Sequence, residues 1–271
     1  MTWTHSAPLT SIINEINSNY FVDVALGKIP ERSSVNKFGR NIEIDNNVTA
    51  DIWDGGHTGD VSLIWAAPTQ ARTHTIASTS ASDTDGGAGA RTLQLFGLTS
   101  WDTAEVSETV TMNTAAPPVT ANSYVIIHRM KVLTKGATNT NVGIITATAT
   151  SDATVTAKIR VGQGQTQMAI YGVPSIQTAL MGRLYASVNK AGGASGLVDI
   201  NLLANPEPDT ELTNFLTKQT FGLQTGGTSA HNVPYYVPKK FPGPTIIKVQ
   251  CTSGANDMDV SGGFDLILAG N

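Results

Sequence analysis

The sequence has 271 residues, a net charge of −4 and a pI near 5.7, and no run of Lys and Arg that would track a phosphate backbone, which argues against direct nucleic-acid binding. Charged residues make up 14%, below the roughly 25% of an ordinary soluble domain, while the 40% that are hydrophobic suffice for a core in a chain this long. No apolar run reaches the roughly 18 residues of a membrane-crossing helix, and the one cysteine, Cys251, excludes an internal disulfide.

The chain opens on MTWTHSAPLTSIINEI, which lacks the basic start and continuous apolar stretch of a secretory signal. Residues 1–58 are rich in Asn and Ser with scattered apolar positions; Ile12, Ile13 and Ile16 suggest one helical turn, and Phe21 to Leu26 a short strand. Pro30, Gly39 and an Asn/Asp cluster interrupt the rest. This segment reads as an extended arm whose aromatic residues Tyr20, Phe21, Phe38 and Trp53 need a neighbouring surface, because a mobile tail is normally poor in such side chains.

From Val61 the pattern changes to short segments rich in Val, Ile and Thr, alternating in polarity and cut by turn residues. VSLIWAA, RTHTIASTS, TLQLFGL, SETVTMN, SYVIIHRMKVLT, GIITATATS and TVTAKIRV form a first set of strands over 59–161, spaced as in a β-sandwich. SYVIIHRMKVLT is the most apolar of them and is expected at the centre of its sheet. After the Gly162–Gly164 break a second set, running from QMAIYGVP to MDVSGGFDLILAG, covers 162–271 and is numerous enough for a jelly roll. The expectation is an all-β protein: an arm over 1–58, a sandwich over 59–161, and a second, jelly-roll-like sandwich over 162–271.

Two places leave the strand pattern. ELTNFL after Asp209 reads as either strand or short helix. GGTSAHNVPYYVPKKFPGP holds four prolines and is excluded from a central strand. It is expected to present Tyr235, Tyr236 and Phe241, which join Tyr20, Phe21, Phe38 and Trp53 as interface candidates.

Motifs for chemistry are sparse. No serine sits in a G-x-S-x-G elbow, and His5, His57, His74, His128 and His231 fall in unrelated segments. Glu105 with Glu108, and Asp257, Asp259 and Asp265, are the carboxylates close enough in sequence to work as pairs; solvated strand ends explain them without catalysis. Asp83 with Asp85, and Asp257 with Asp259, are candidate calcium ligands, against the simpler reading of hairpin turns. No catalytic residue, cofactor site or metal centre is assigned.

Four segments, DVALGKIPERSSVNKFG, GARTLQLFGLTSWDTAEVSETVTM, GQTQMAIYGVPSIQTALMGRLYASV and DVSGGFDLIL, together resemble virion structural proteins of tailed double-stranded DNA bacteriophages. The resemblance implies a non-enzymatic particle component that decorates or cements the capsid shell. It also implies a trimer in contact with the major capsid protein, assembled in the host cytoplasm and resident in the virion. A head fibre, tail fibre or adaptor that binds a glycan receptor is the alternative.

Overall fold

The computed structural model describes residues 20–54, 62–190 and 195–271. Among these residues fifteen strands, all paired antiparallel, and one helical turn at 20–25 make up the regular structure. The all-β expectation is met. The suggested turn at Ile12–Ile16 and the residues His5 and His57 lie outside the described residues.

The strands form two units, and their order along the chain departs from the expected one. In the first unit, one sheet runs β1 (Arg32–Ile44), β15 (Met258–Gly270), β10 (Gln177–Lys190), β13 (Ala230–Pro242). The facing sheet runs β12 (Leu216–Gln224), β11 (Leu197–Asn205), β14 (Thr245–Ser253), and β14 then pairs on its far edge with both β2 (Thr49–Asp51) and β9 (Ile170–Val173). β2 takes Gln250 to Thr252 and β9 takes Thr245 to Lys248, so the two are halves of one strand position. Counted as one, they give eight strands with sheet orders 1-8-3-6 and 5-4-7-2, the double-sheet arrangement of a jelly roll.

The second unit is inserted into that split strand. Val249 marks the splice: its carbonyl accepts the Ile52 N–H at 2.8 Å, its N–H donates to Ala169 at 3.0 Å, and the Ala169 N–H donates to Ile52 at 2.9 Å. Between them lie β3 (His74–Ser78), β4 (Ala90–Leu98), β5 (Val106–Thr111), β6 (Ile126–Lys135), β7 (Ile145–Ala149) and β8 (Val155–Ile159). They form two three-stranded sheets, β3-β7-β8 and β5-β4-β6, around a core that includes Ile76, Leu93, Leu95, Ile126 and Met130.

Alternation along the split strand joins the two cores. Ala50, Ile52, Tyr171 and Val173 face the jelly-roll core, whereas Trp53 and Ile170 face the core of the insert, and on β14 Ile247 and Ile246 divide in the same way. A strand buried on both faces loses its polar alternation, and all four residues of β9 are buried. A buried network fixes the crossing. Asp51 Oδ2 accepts Lys248 Nζ at 2.7 Å and the Trp65 N–H at 2.8 Å, and Asp51 Oδ1 accepts Gln250 Nε2 at 2.9 Å.

Several expectations are corrected here. Residues 32–51 are not an extended arm: β1 lies against β15 from Arg32 to Ile44, and β2 completes the opposite sheet. Residues 62–67 form no strand; Trp65 is instead buried with its indole N–H donating to Thr156 at 2.8 Å. β6 is an edge strand and β4 the centre of its sheet. β6 is nonetheless apolar because its free edge is covered by 164–166, with Val132 N–H donating to Gly164 and Thr166 N–H to Met130. Residues 211–215 are a turn and irregular chain rather than helix, and Leu216 opens β12. The proline-rich break is β13, at the sheet edge where prolines cost no ladder bond.

Candidate functional site

The outer face of sheet β1-β15-β10-β13 carries the largest exposed aromatic feature among the interface candidates. Side chains alternate across a strand, so the cross-strand register places outward residues in rows. The row Asn36, Asp265, Arg183 is polar: Arg183 Nε donates to Asp265 Oδ2 at 2.6 Å and Asn36 Nδ2 donates to Asp265 Oδ1. On one side lies Ser34, Ile267, Leu180, and on the other Phe38, Gly263, Tyr185. A Cβ at Gly263 would sit 2.6 Å from the Tyr185 hydroxyl, so the glycine gives that ring passage over the strand to donate to the Lys37 carbonyl at 3.2 Å.

β13 departs from its ladder beside these rows. Met181 pairs with Lys239 and Arg183 with Pro234, which leaves Gly182 opposite the four residues 235–238. A bulge of this kind bends an edge strand and re-aims its side chains. Tyr235 turns inward, half-buried, with its hydroxyl donating to Gln219 Oε1 at 2.6 Å and Lys239 Nζ 5.2 Å from its ring centre. Tyr236 and Val237 turn outward, at 98% and 84% exposure.

The helical turn at 20–25 closes the other side. Val24 is buried, while Phe21 stays exposed and its ring meets that of Tyr20 edge-on at 5.7 Å. Tyr20, Phe21, Tyr235 and Tyr236, from opposite ends of the sequence, thus line one cleft of about 520 Å³ whose floor includes Leu180, Arg183 and Asp265. The other three interface candidates fall elsewhere. Trp53 is buried in the insert core and Phe241 in the jelly-roll core, both packed by this chain's own residues, and Phe38 opens onto a second cavity at β1.

The remaining polar candidates are mostly clamps. Glu108 accepts the N–H groups of Ala121 and Asn122, the Asn122 amide and the Tyr124 hydroxyl, which ties β5 to the 120–124 loop. Asp83 Oδ1 accepts Ala90 and Val142 N–H, and Oδ2 accepts Gly143 N–H and the Ser78 hydroxyl, so its oxygens are already occupied by loop donors. Asp259 accepts Arg40 Nη2 at 2.9 Å and the Glu43 N–H at 3.2 Å. Asp257 has φ 57, the left-handed angle that Asp tolerates in a hairpin turn. Among the described residues no three His, Cys, Asp or Glu side chains lie in metal-holding reach. His74 is buried in the insert, its pKa lowered to about 4 by desolvation, and His231 packs edge-on against Phe221. His128 and Glu105, unrelated by sequence spacing, come together at β1.

No protein-family model and no curated protein matches the sequence. Among solved structures, the crystal structure of the infectious bursal disease virus VP2 subviral particle aligns over 89% of this chain and 72% of that one, at 9% identity and a TM-score of 0.19. A likeness that low carries no argument about fold or function.

Proposed function

We propose that the chain is a non-enzymatic structural protein of a virion, a decoration or cement subunit on a capsid shell, that docks a neighbouring particle subunit in the aromatic cleft. The observation that carries this reading is Tyr236, held at 98% exposure on a proline-flanked bulge over the jelly-roll face. A large aromatic side chain presented on a rigid element, beside an apolar recess, suits an interface anchor. The scaffold supports the reading by analogy alone, since jelly rolls serve in viral capsids and in lectins. The four resembling segments point to the capsid rather than the lectin use.

The test is co-sedimentation with shells that lack this protein. Wild-type protein is expected to pellet with the shells, and Tyr236→Ser with Val237→Ser to remain in the supernatant with an unchanged melting temperature. Wild-type protein that stays in the supernatant overturns the reading. In solution the expected assembly is a trimer of 28.4 kDa chains, checked by light scattering.

The row Asn36, Asp265, Arg183 favours a second reading, a fibre or adaptor that binds a glycan. Sugar sites combine stacking rings with acid, amide and guanidinium groups, and this cleft holds all of them. Glycan-array binding abolished by Asp265→Asn assigns the cleft to a receptor; an array with no signal from the oligomer removes that reading.

A further inference from the structure

The second cavity lies at the junction of the two units, about 410 Å³, and is walled by β1, β6, β9 and the residues leading into β5. Its volume falls within the range of small-molecule sites. The polar side chains that meet there come from separate elements: Lys37 from β1, Glu105 from the loop before β5, His128 and Arg129 from β6, and Gln165 from the chain leading to β9. Phe96 and Tyr171 supply apolar walls, with the Tyr171 and His128 rings 4.5 Å apart.

The charges are not balanced within the chain. Glu105 is the one carboxylate lining the cavity, and its Oε2 is taken by His128 Nε2 at 2.5 Å. Desolvation lowers the His128 pKa, and the bond to His128 helps hold Glu105 below the usual carboxylate range, so the pair rests as a neutral imidazole donating to a carboxylate. The His128 Nδ1, buried and without a partner, is then the unprotonated nitrogen. Lys37 is 7% exposed, and its ammonium donates to the His128 carbonyl alone. An ammonium has three donors, so two are left without an acceptor among the described residues. Arg129 extends along the same cavity, donating to Gln165 Oε1 at 3.2 Å and lying 5.5 Å from the Phe96 ring centre, while Lys131 reaches that ring from 5.3 Å. Two basic side chains of the cavity wall, Lys37 and Arg129, therefore face one engaged carboxylate.

We propose that this cavity binds a small carboxylate with an apolar body, its oxygens accepting the free donors of Lys37 and the guanidinium of Arg129 and its body lying against Phe96 and Tyr171. Burial, and then the Arg129 charge, lower the Lys37 pKa to about 7. At pH 8 the amine is mostly neutral, and a carboxylate beside it restores the charged form. Binding at pH 8 is therefore accompanied by proton uptake at Lys37.

Calorimetric titration with benzoate and with acetate, at pH 8 in two buffers of different ionisation enthalpy, tests this directly. The expected result is saturable one-to-one binding, tighter for benzoate, with a proton taken up. Lys37→Met abolishes the proton uptake and weakens binding by roughly tenfold or more. Arg129→Gln weakens binding and keeps a smaller uptake, since losing its charge raises the Lys37 pKa while burial still lowers it, and because its side chain is at the surface it also serves if Lys37→Met does not fold. Absence of saturable binding by either carboxylate, unchanged affinity in Arg129→Gln, or proton uptake that survives Lys37→Met overturns the proposal. Binding of inorganic phosphate with neither carboxylate bound overturns the assignment to a carboxylate.

Discussion

Lys37 sits where its charge is penalised, and the consequence is a pH dependence of known sign. Its pKa is about 7 in the folded chain against 10.5 for the free side chain, with desolvation the main cause and Arg129 next. Between those two values the unfolded chain binds the additional proton, so the Lys37 contribution to stability rises with pH across that window. Below about 7 both states are protonated and the penalty is complete. Lys37→Met is therefore expected to raise the melting temperature most near pH 6 and progressively less toward pH 10; an advantage that does not shrink with rising pH contradicts the assignment. Lys248, also buried, is instead held in an ion pair. Its ammonium meets Asp51 at 2.7 Å and the Phe215 ring centre at 4.1 Å, with the pair almost fully buried. Removing one member of such a pair strands the other charge, so Asp51→Ala is expected to cost about 3–5 kcal/mol in urea unfolding.

At the scale of elements, β13 separates holding the sheet from presenting a surface. Tyr235 packs on the jelly-roll core and ties β13 to β12 through Gln219, whereas Tyr236 touches little within the chain. Tyr235→Ala is expected to destabilise by about 1–3 kcal/mol, and Tyr236→Ser to remain within about 0.5 kcal/mol of wild type by the same unfolding measurement. Which strands were legible follows from what their inward positions hold. Strands β3, β4, β5 and β7 alternate because one face meets an apolar core and the other meets water or hydroxyls, as in β4, where Leu93 and Leu95 are buried and Gln94 and Phe96 only partly so. β1 hides because its inward residues include Lys37, Gly39 and Asn41, of which Lys37 meets His128 of the insert while Gly39 and Asn41 lie against the backbone of the split strand at Ile52 and Asp51, so none of the three needs to be apolar. A Cβ at Gly39 would come within 2.3 Å of the Ile52 carbonyl, so close approach replaces apolarity as the signal there. The cleft was half visible: the four tyrosine and phenylalanine residues stood out by composition, but their meeting depends on β1 and β13 joining one sheet, a pairing between distant segments that alternation does not encode.

For the whole molecule, the decisive feature is that a jelly-roll strand is interrupted and resumed in register. Asp51 opposes Gln250, Ile52 shares Val249 with Ala169, and Ile170 opposes Lys248. The path from Ile52 to Ile170 therefore preserves the inward and outward alternation, with Ile52 and Tyr171 facing the jelly-roll core and Ile170 facing away from it. Two demands on a shortened chain follow. Joining Ile52 directly to Ile170 removes Ala169, which accepts the Val249 N–H, but frees the Ile52 carbonyl to accept that N–H in its place, so the jelly-roll topology remains complete. The same deletion strips the cover from Ile170 and Ile246, which are fully buried only because the insert packs over them. Exposed together on one sheet face, they form an apolar patch that favours association. The deletion of residues 53–169 is expected to yield an aggregating protein as it stands. With Ile170→Thr and Ile246→Thr added, it is expected to give a soluble β protein with a single cooperative urea transition, read by circular dichroism. Failure of the doubly substituted form to unfold cooperatively would place the folding determinants of the jelly roll inside the insert.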